Sequence, residues 1–411
     1  MQKRESFQTG DQALVRQINL SLVMNIMRTQ APISRAALAQ ASGLNKATVS
    51  DLVFDLMERG FVREVGMKSS GTGRPATLLT LHPSAGFIVS CEIAVDFIEV
   101  MVTDFAPETI WQVKEKTFPE MGQQAILERT LALLFQAVER GKAVAPYLFG
   151  VAIGVPGMVD SETGTLLFAP NLGWSDVELL AYFEKANFGA PVFVENEANL
   201  AALGEHYFGA ARGHDNVLYL SGNIGLGGGM VRDGHLCRGV SGVASEFGHM
   251  TMNPDGELCK CGNRGCWETQ VSQKALYRYL NEWIGAGKKS SLAHAVENYS
   301  VEMIVEAARE GDEAAILALE KTGRYLGIGI ASLLNALNPE LVVLGGILSL
   351  AADFLLPVVN TEVKNRALRW NRESAQVVKA AHGSDACVKG GIAVVYQSVL
   401  LQTNPLAILG R

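Results

Sequence analysis

The chain has 411 residues, 48% hydrophobic and 19% charged, with six cysteines and a formal net charge of −7, which is the profile of a soluble globular protein of two or three domains. Its longest apolar tract, 341–359, is broken by two glycines, Asp353 and Pro357, which excludes a membrane span. Charge is split along the chain: residues 1–75 carry ten Lys and Arg against six Asp and Glu, and the remainder 25 against 36, so a basic N-terminal module is expected to meet a polyanion ahead of an acidic body.

The Met-Gln-Lys-Arg start runs into polar residues without the apolar core of a signal peptide, and three of the six cysteines cluster in one loop. Both features make the cytoplasm the expected compartment and argue against a disulfide framework.

Ile18, Leu22, Val23, Ile26 and Met27 recur at helical spacing and predict an amphipathic helix ending before Pro32. Ser34 is placed to cap a short helix over SRAALAQAS that Gly43 stops. Asn45 is placed to cap a second over NKATVSDLVFDLMERG, with Val49, Leu52, Val53, Leu56 and Met57 on one face. Two helices about a tight glycine-containing turn make a helix-turn-helix, whose second helix enters the major groove by its N-terminal end. Lys46, Ala47, Thr48 and Ser50 are thus the expected base-proximal residues, while Asp51 and Asp55 should point away from phosphate. FVREV, GMKSSGTGRP and ATLLTL then read as strand, glycine-rich loop and strand, the wing of a winged helix, with Arg74 a candidate for phosphate or minor-groove contact. A small interaction domain without DNA is the alternative.

The body begins near residue 83. GFIVSCEIAV and FIEVMVTDF read as strands, followed by a helix from Gln123 to Arg140. LFGVAIGVPGMVD is a buried strand entering a glycine turn, and PVFVENEANLAALGEHYFG a strand feeding a helix. NVLYLSGNIGLGGGMVRDGHL and LVVLGGI repeat that grammar, which predicts an α/β body of two lobes with a cleft between them. The expected division is 1–82 for the winged helix-turn-helix, 83–195 for the first lobe and 196–411 for the second, with the C-terminal helix returning to the first.

Glycines at 221–229 can present backbone N–H groups to phosphate, or simply serve a tight hairpin. In ENEAN, Asn196 can donate to and accept from the hydroxyls of a sugar, and Glu197 is either a general base or a helix N-terminal charge. Further on, EFGHMTMNPDGELCKCGNRGCWE places His249, Cys259, Cys261 and Cys266 within one irregular loop, a complete tetrahedral set for one structural Zn²⁺ per chain. Three unrelated thiols beside a surface histidine remain the alternative. If a metal folds the loop, Glu246 and Glu268 arrive near one point and could accept hydrogen bonds from a polyhydroxylated ligand; otherwise they are solvated charge.

Together the winged helix with GTGRPA, the turn GVPG, the segment ENEAN, the loop GNIGLGGG and EFGH…CKCGNRGCWE resemble the ROK family over the whole chain. That family contains bacterial sugar kinases and transcriptional repressors with an actin/hexokinase-like two-lobed body. The resemblance implies the zinc site, sugar contacts from Asn196, Glu246, His249 and Glu268, and a sugar-site lining that includes Gly157 and Asn171. Departures fall on the nucleotide side. The kinases' Asp-x-Gly-Gly-Thr loop is replaced by Glu92-Ile93-Ala94-Val95-Asp96, their catalytic aspartate by Glu197, and a Gly-Thr-Gly run is interrupted by Asn223-Ile224. The expectation is therefore a non-enzymatic repressor of sugar uptake or metabolism genes, a homodimer or tetramer binding double-stranded operator DNA and a small-molecule sugar effector. An ATP-dependent sugar kinase, and a repressor relieved by a membrane sugar-transporter subunit, are the alternatives.

Overall fold

The structure is a computed structural model that describes residues 12–68, 76–294 and 299–401. Its first unit is α1 (Gln12–Gln30), β1 (Ile33–Ser34), α2 (Arg35–Ser42), α3 (Lys46–Glu58), β2 (Val62–Lys68) and β3 (Ala76–Leu81), the strands pairing in the order β1-β3-β2. Local chemistry sets the helix ends: the Ser34 hydroxyl accepts from the Ala37 N–H, Gly43 adopts φ +69°, and the Asn45 side chain accepts from the Thr48 N–H. Asp55 is turned away from the start of α3 and held by Arg16 at 3.0 Å and Arg59 at 2.6 Å. The inward face of α1 differs from the expected one. Val23, Met24, Ile26 and Met27 are buried, whereas Ile18 is 57% and Leu22 37% exposed, so the covered face is the one through Val23 and Met27, and Leu22 lies off it. Arg74 and the rest of the wing tip lie outside the described residues.

The body follows as β4 (Phe87–Ile93), β5 (Phe97–Asp104), β6 (Thr109–Lys116), α4 (Gln123–Lys142), β7 (Leu148–Val155), β8 (Met158–Asp160), β9 (Thr165–Ala169), β10 (Trp174–Val177), α5 (Leu179–Glu184), β11 (Val192–Asn196) and α6 (Glu197–Phe208). Then come β12 (Val217–Gly222), β13 (Leu226–Arg232), β14 (His235–Leu236), α7 (Glu268–Val271), α8 (Gln273–Gly285), α9 (Val301–Arg309) and α10 (Glu313–Leu337). The chain closes with β15 (Leu341–Gly346), α11 (Ile347–Leu350), α12 (Ala352–Arg366), α13 (Arg369–Ser374), β16 (Gln376–Lys379) and α14 (Ala386–Leu401). No helix among the described residues is long and apolar enough to cross a membrane.

Two five-stranded sheets carry the body, ordered β11-β7-β4-β5-β6 and β14-β13-β12-β15-β16. Counted within its own sheet, each runs 3-2-1-4-5: strands 1 to 3 form an antiparallel meander, and strands 4 and 5 add parallel to strand 1. The repeated grammar of the sequence is thus a repeated topology. The reading from sequence passed over β6, whose TIWQVKEK alternates because only one face is covered. Helices α6 and α14 lie together between the sheets. A β-carbon on Gly204 would meet the Ala386 carbonyl, and one on Gly390 the Leu200 carbonyl, so these glycines let the two backbones touch.

The winged helix shares its core with the body. Val23, Met27, Leu56 and Phe61 form one apolar cluster with Phe105, Phe149 and Tyr396. Within it the Phe61–Phe105, Phe105–Phe149 and Phe105–Tyr396 ring centroids stand 5.4, 5.1 and 5.3 Å apart. The Tyr396 hydroxyl donates to the Phe105 carbonyl, satisfying the polar end of a ring that is otherwise fully buried.

Candidate functional site

Between the sheets lies a cavity of about 780 Å³ bordered by Gly157, Asn171, Asn196, Glu246, His249 and Glu268. All six residues expected at a sugar site are therefore brought to one space. Asn196 stands where β11 ends and α6 begins, and its amide is already engaged. The Oδ1 caps α6 by accepting from the N–H groups of Ala198 (2.8 Å) and Asn199 (3.0 Å), while Nδ2 donates to the Gly157 carbonyl (2.9 Å) and to Glu197 Oε2 (3.0 Å). Gly157 sits at φ +107° with Phe168 and Ala169 against the place of a β-carbon, so only glycine fits that turn.

The loop 246–268 supplies the opposite wall. The ligating atoms of His249, Cys259, Cys261 and Cys266 all lie within 4.8 Å of one another. Cys261 Sγ to Cys266 Sγ and Cys259 Sγ to His249 Nδ1 are both 3.7 Å. A tetrahedron with Zn–S of about 2.3 Å has edges of about 3.8 Å, so the donor set fits that ion in both chemistry and size. Isolated bridges Thr251–Cys266 and Leu258–Arg264, with the Cys259 N–H donating to the Asn263 carbonyl, fold the knuckle. Trp267, fully buried and donating through Nε1 to the Tyr325 carbonyl, anchors it to α10.

His249 turns Nδ1 to the thiols and Nε2 towards Glu246 Oε2 at 3.9 Å, so one imidazole can serve a metal on one side and the cleft on the other. Glu268 opens α7 and reaches Oε2 to within 3.4 Å of the Leu226 N–H. Burial, opposed by His249 and aided by Glu268, raises the Glu246 carboxyl above its ordinary value.

Several partners were not foreseen. Lys260 of the loop donates to Asn171 Oδ1 at 3.0 Å, and Arg238 donates to Glu195 Oε2 at 2.6 Å. Both join sequence-distant segments, the first of them within the cavity lining. Glu92, noted from sequence only as a lost glycine-loop position, lines the cavity from the end of β4 and is 7% exposed. The sign of it in the sequence is a carboxylate inside the largely apolar run FIVSCEI.

Ala94, Val95 and Ile224 also line the cavity, Ile224 being 40% exposed at the turn between β12 and β13. The Asn223 N–H donates to the Gly225 carbonyl, closing that turn on itself.

Lys46, Ala47 and Ser50 are exposed at the start of α3, and Thr48 is half-buried. Ser50 Oγ donates back to the Lys46 carbonyl at 2.8 Å, leaving its lone pairs outward.

The ROK family model matches residues 88–398, and that of the IclR helix-turn-helix domain residues 22–66. The xylose repressor of Bacillus subtilis (strain 168) is 34% identical over 395 residues, 95% of this chain and 98% of that protein. The DNA-binding transcriptional dual regulator NagC of Escherichia coli (strain K12) is 28% identical over 396 residues, 96% of each. Among solved structures, a ROK family transcriptional regulator that is a homologue of the E. coli MLC protein superposes with a TM-score of 0.82 at 29% identity, covering 97% of this chain and all of that one. A ROK glucokinase from Streptomyces griseus, in complex with glucose and AMPPNP, gives 0.66 at 33% identity over 76% of this chain and all of that one.

Proposed function

The chain belongs to the ROK family, and from that premise we propose that it is a sugar-responsive transcriptional repressor: a winged helix that binds operator DNA, governed by an aldose held in the cleft. Xylose, named in the B. subtilis relative, is the first effector to test. The observation that carries this reading is the continuity of one apolar core from α1 and α3 through Phe105 and Tyr396 to α14, which packs on the helix that opens at Asn196. A ligand that changes the lobes' approach must then move the DNA-binding unit, provided it prefers one arrangement; about 3 kcal/mol of preference shifts the balance on the order of a hundredfold.

A Zn²⁺ held by His249, Cys259, Cys261 and Cys266 would be structural, since four protein ligands leave no open position. When bound it would brace the loop and so aim His249, Glu246 and Glu268 at the ligand. Two copies are required to place two recognition helices on a two-fold operator. Ala94 and Val95 line the cavity in place of the glycines that a phosphate loop needs for bare backbone, which favours sensing over phosphorylation.

Retention of genomic DNA fragments by the purified, metal-loaded chain, with and without a panel of aldoses, tests the reading. Selective retention that a sugar abolishes is expected. Retention unaffected by any aldose, together with sugar-dependent ADP release, would establish the kinase instead.

A further inference from the structure

Helix α3 has thirteen residues and two sharply different sides. Val49, Leu52, Val53 and Leu56 are at most 2% exposed and hold it to the rest of the winged helix. Lys46, Ala47, Ser50, Asp51, Phe54 and Glu58 are exposed on the other side. With 3.6 residues per turn, Phe54 falls within about 20° of Ala47 and about 10.5 Å farther along the axis, so the two share one line down the outward face.

Phe54 is 65% exposed and takes no part in the apolar cluster to which its neighbour Val53 belongs. A single apolar side chain in solvent needs no explanation on an ordinary surface. This one stands on the face that a recognition helix turns to DNA. Nothing long separates it from Ala47: Ser50 folds its hydroxyl back onto the Lys46 carbonyl at 2.8 Å, and Asp51 is short. Asp51 and Glu58 flank the line with negative charge, which repels phosphate and suits the line to base edges, not to backbone. In the major groove the apolar feature of a base edge is the thymine C5-methyl, and alanine and phenylalanine are side chains that pack on it. The N-terminal end of the helix lies nearest the bases, so a methyl side chain suffices at Ala47 and a longer one is needed two turns on.

We propose that Phe54 reads a thymine: its ring covers the C5-methyl of one base in the major groove while Ala47 covers another, so that part of the operator sequence is recognised without a hydrogen bond. This rests on the reading that α3 enters operator DNA. It adds a base-reading residue beyond the first turn and names the group it reads. Two helical turns match about three base-pair steps of about 3.4 Å, which places the two thymines about that far apart in each half-site.

The probe is the DNA fragment that the purified chain retains, synthesised with deoxyuridine, which lacks only the C5-methyl, in place of one thymine of each half-site at a time. The full, metal-loaded chain is expected to lose about fourfold in affinity for each methyl it covers, at two positions about three steps apart. Phe54→Ala is expected to erase the penalty at one of these and keep it at the other, with the slope of log affinity against log salt as in the parent, since no phosphate contact is lost. Phe54→Met, apolar and nearly as long, is expected to keep most of both penalties. A parent indifferent to every deoxyuridine overturns the proposal even if the variants do not fold. A Phe54→Ala protein with both parental penalties overturns it too, and a changed oligomeric state of that variant in light scattering would then make this face a contact between copies. A chain that retains no DNA fragment at all overturns the operator-binding reading itself.

Discussion

Arg28, near the end of α1, holds its guanidinium carbon 4.2 Å above the Tyr207 ring and donates through Nη1 to the Tyr207 carbonyl at 2.8 Å. Arg212 returns the grip by donating to the Thr29 carbonyl at 3.1 Å. Tyr207 lies in the last turn of the helix that Glu197 begins, so α6 has the cleft at one end and the DNA-binding unit at the other. Desolvation pulls the Arg28 pKa below its ordinary value, and a desolvated cation is where ring contacts are strongest. Arg28→Ala is expected to lower stability by about 2 kcal/mol, summing a cation–π contact and a charged hydrogen bond. It should also weaken sugar-induced operator release by about fivefold or more, with sugar affinity nearly unchanged. Sugar titrations of operator retention measure this; a parental response would remove α6 as the connection.

Gly225 permits the reach of Glu268. A β-carbon there would stand 2.7 Å from Glu268 Oε2 and 3.8 Å from Asn171 Nδ2. Gly225→Ala is therefore expected to push the carboxylate off its place and lower sugar affinity by about tenfold, a loss of about 1.4 kcal/mol. Calorimetry decides it, with the melting temperature as the check on folding.

Glu92 and Glu197 also set a pH dependence. Both have folded pKa values raised to about 8 by burial against an ordinary 4.5, so the folded state keeps protons that the unfolded state has lost. Their contribution to stability is full below about 4.5 and fades as the pH rises through about 8. Between those limits Glu92→Gln and Glu197→Gln, which cannot ionise, are expected to show a flatter decline of melting temperature with pH than the parent. Parallel declines in all three proteins would mean that neither carboxyl keeps its proton on folding.

Local chemistry was legible and long-range approach was not. Ser34, Gly43 and Asn45 announced the helix ends because a cap acts within three residues of itself. Four donors within eighteen positions announced a cluster that could hold a metal, but not which histidine nitrogen faces the thiols. Ile18 and Leu22 obeyed the helical period and still lie outside, because period does not say which face its neighbours cover or how far along. The pairs Lys260–Asn171 and Arg238–Glu195 exist only because the lobes meet, and no spacing encodes that. Asn196 can donate to and accept from a sugar, and its amide is also engaged on both sides as a cap and a brace to Gly157, which no spacing announces. A sugar contact from it must therefore be shared with those bonds.

The metal set makes a prediction of its own. Cys266 is fully buried, 3.7 Å from Cys261 Sγ, and its neighbour Trp267 plugs into the core. Cys266→Ser should lower bound zinc from one per chain to well under half. At free metal a thousandfold above Kd, losing it would cost about 4 kcal/mol of stability. Atomic absorption and melting curves with and without chelator test both parts, and a chelator-insensitive parent would leave the loop with no structural metal.

Lys46 is the first residue of α3, at the positive end of the helix, and is exposed, without a carboxylate partner among the described residues. A lysine so placed acts on phosphate as a point charge. Lys46→Ala should then weaken binding to all DNA sequences alike and reduce the slope of log affinity against log salt by about one for each copy of the module engaged. Thr48, half-buried with its backbone N–H held by Asn45, presents its hydroxyl and methyl from a fixed position and is suited to a base edge. Thr48→Ala should change sequence preference and leave the salt slope as it was. Fragment retention over a salt series separates the two, and a change of preference caused by Lys46→Ala would reverse their assignment.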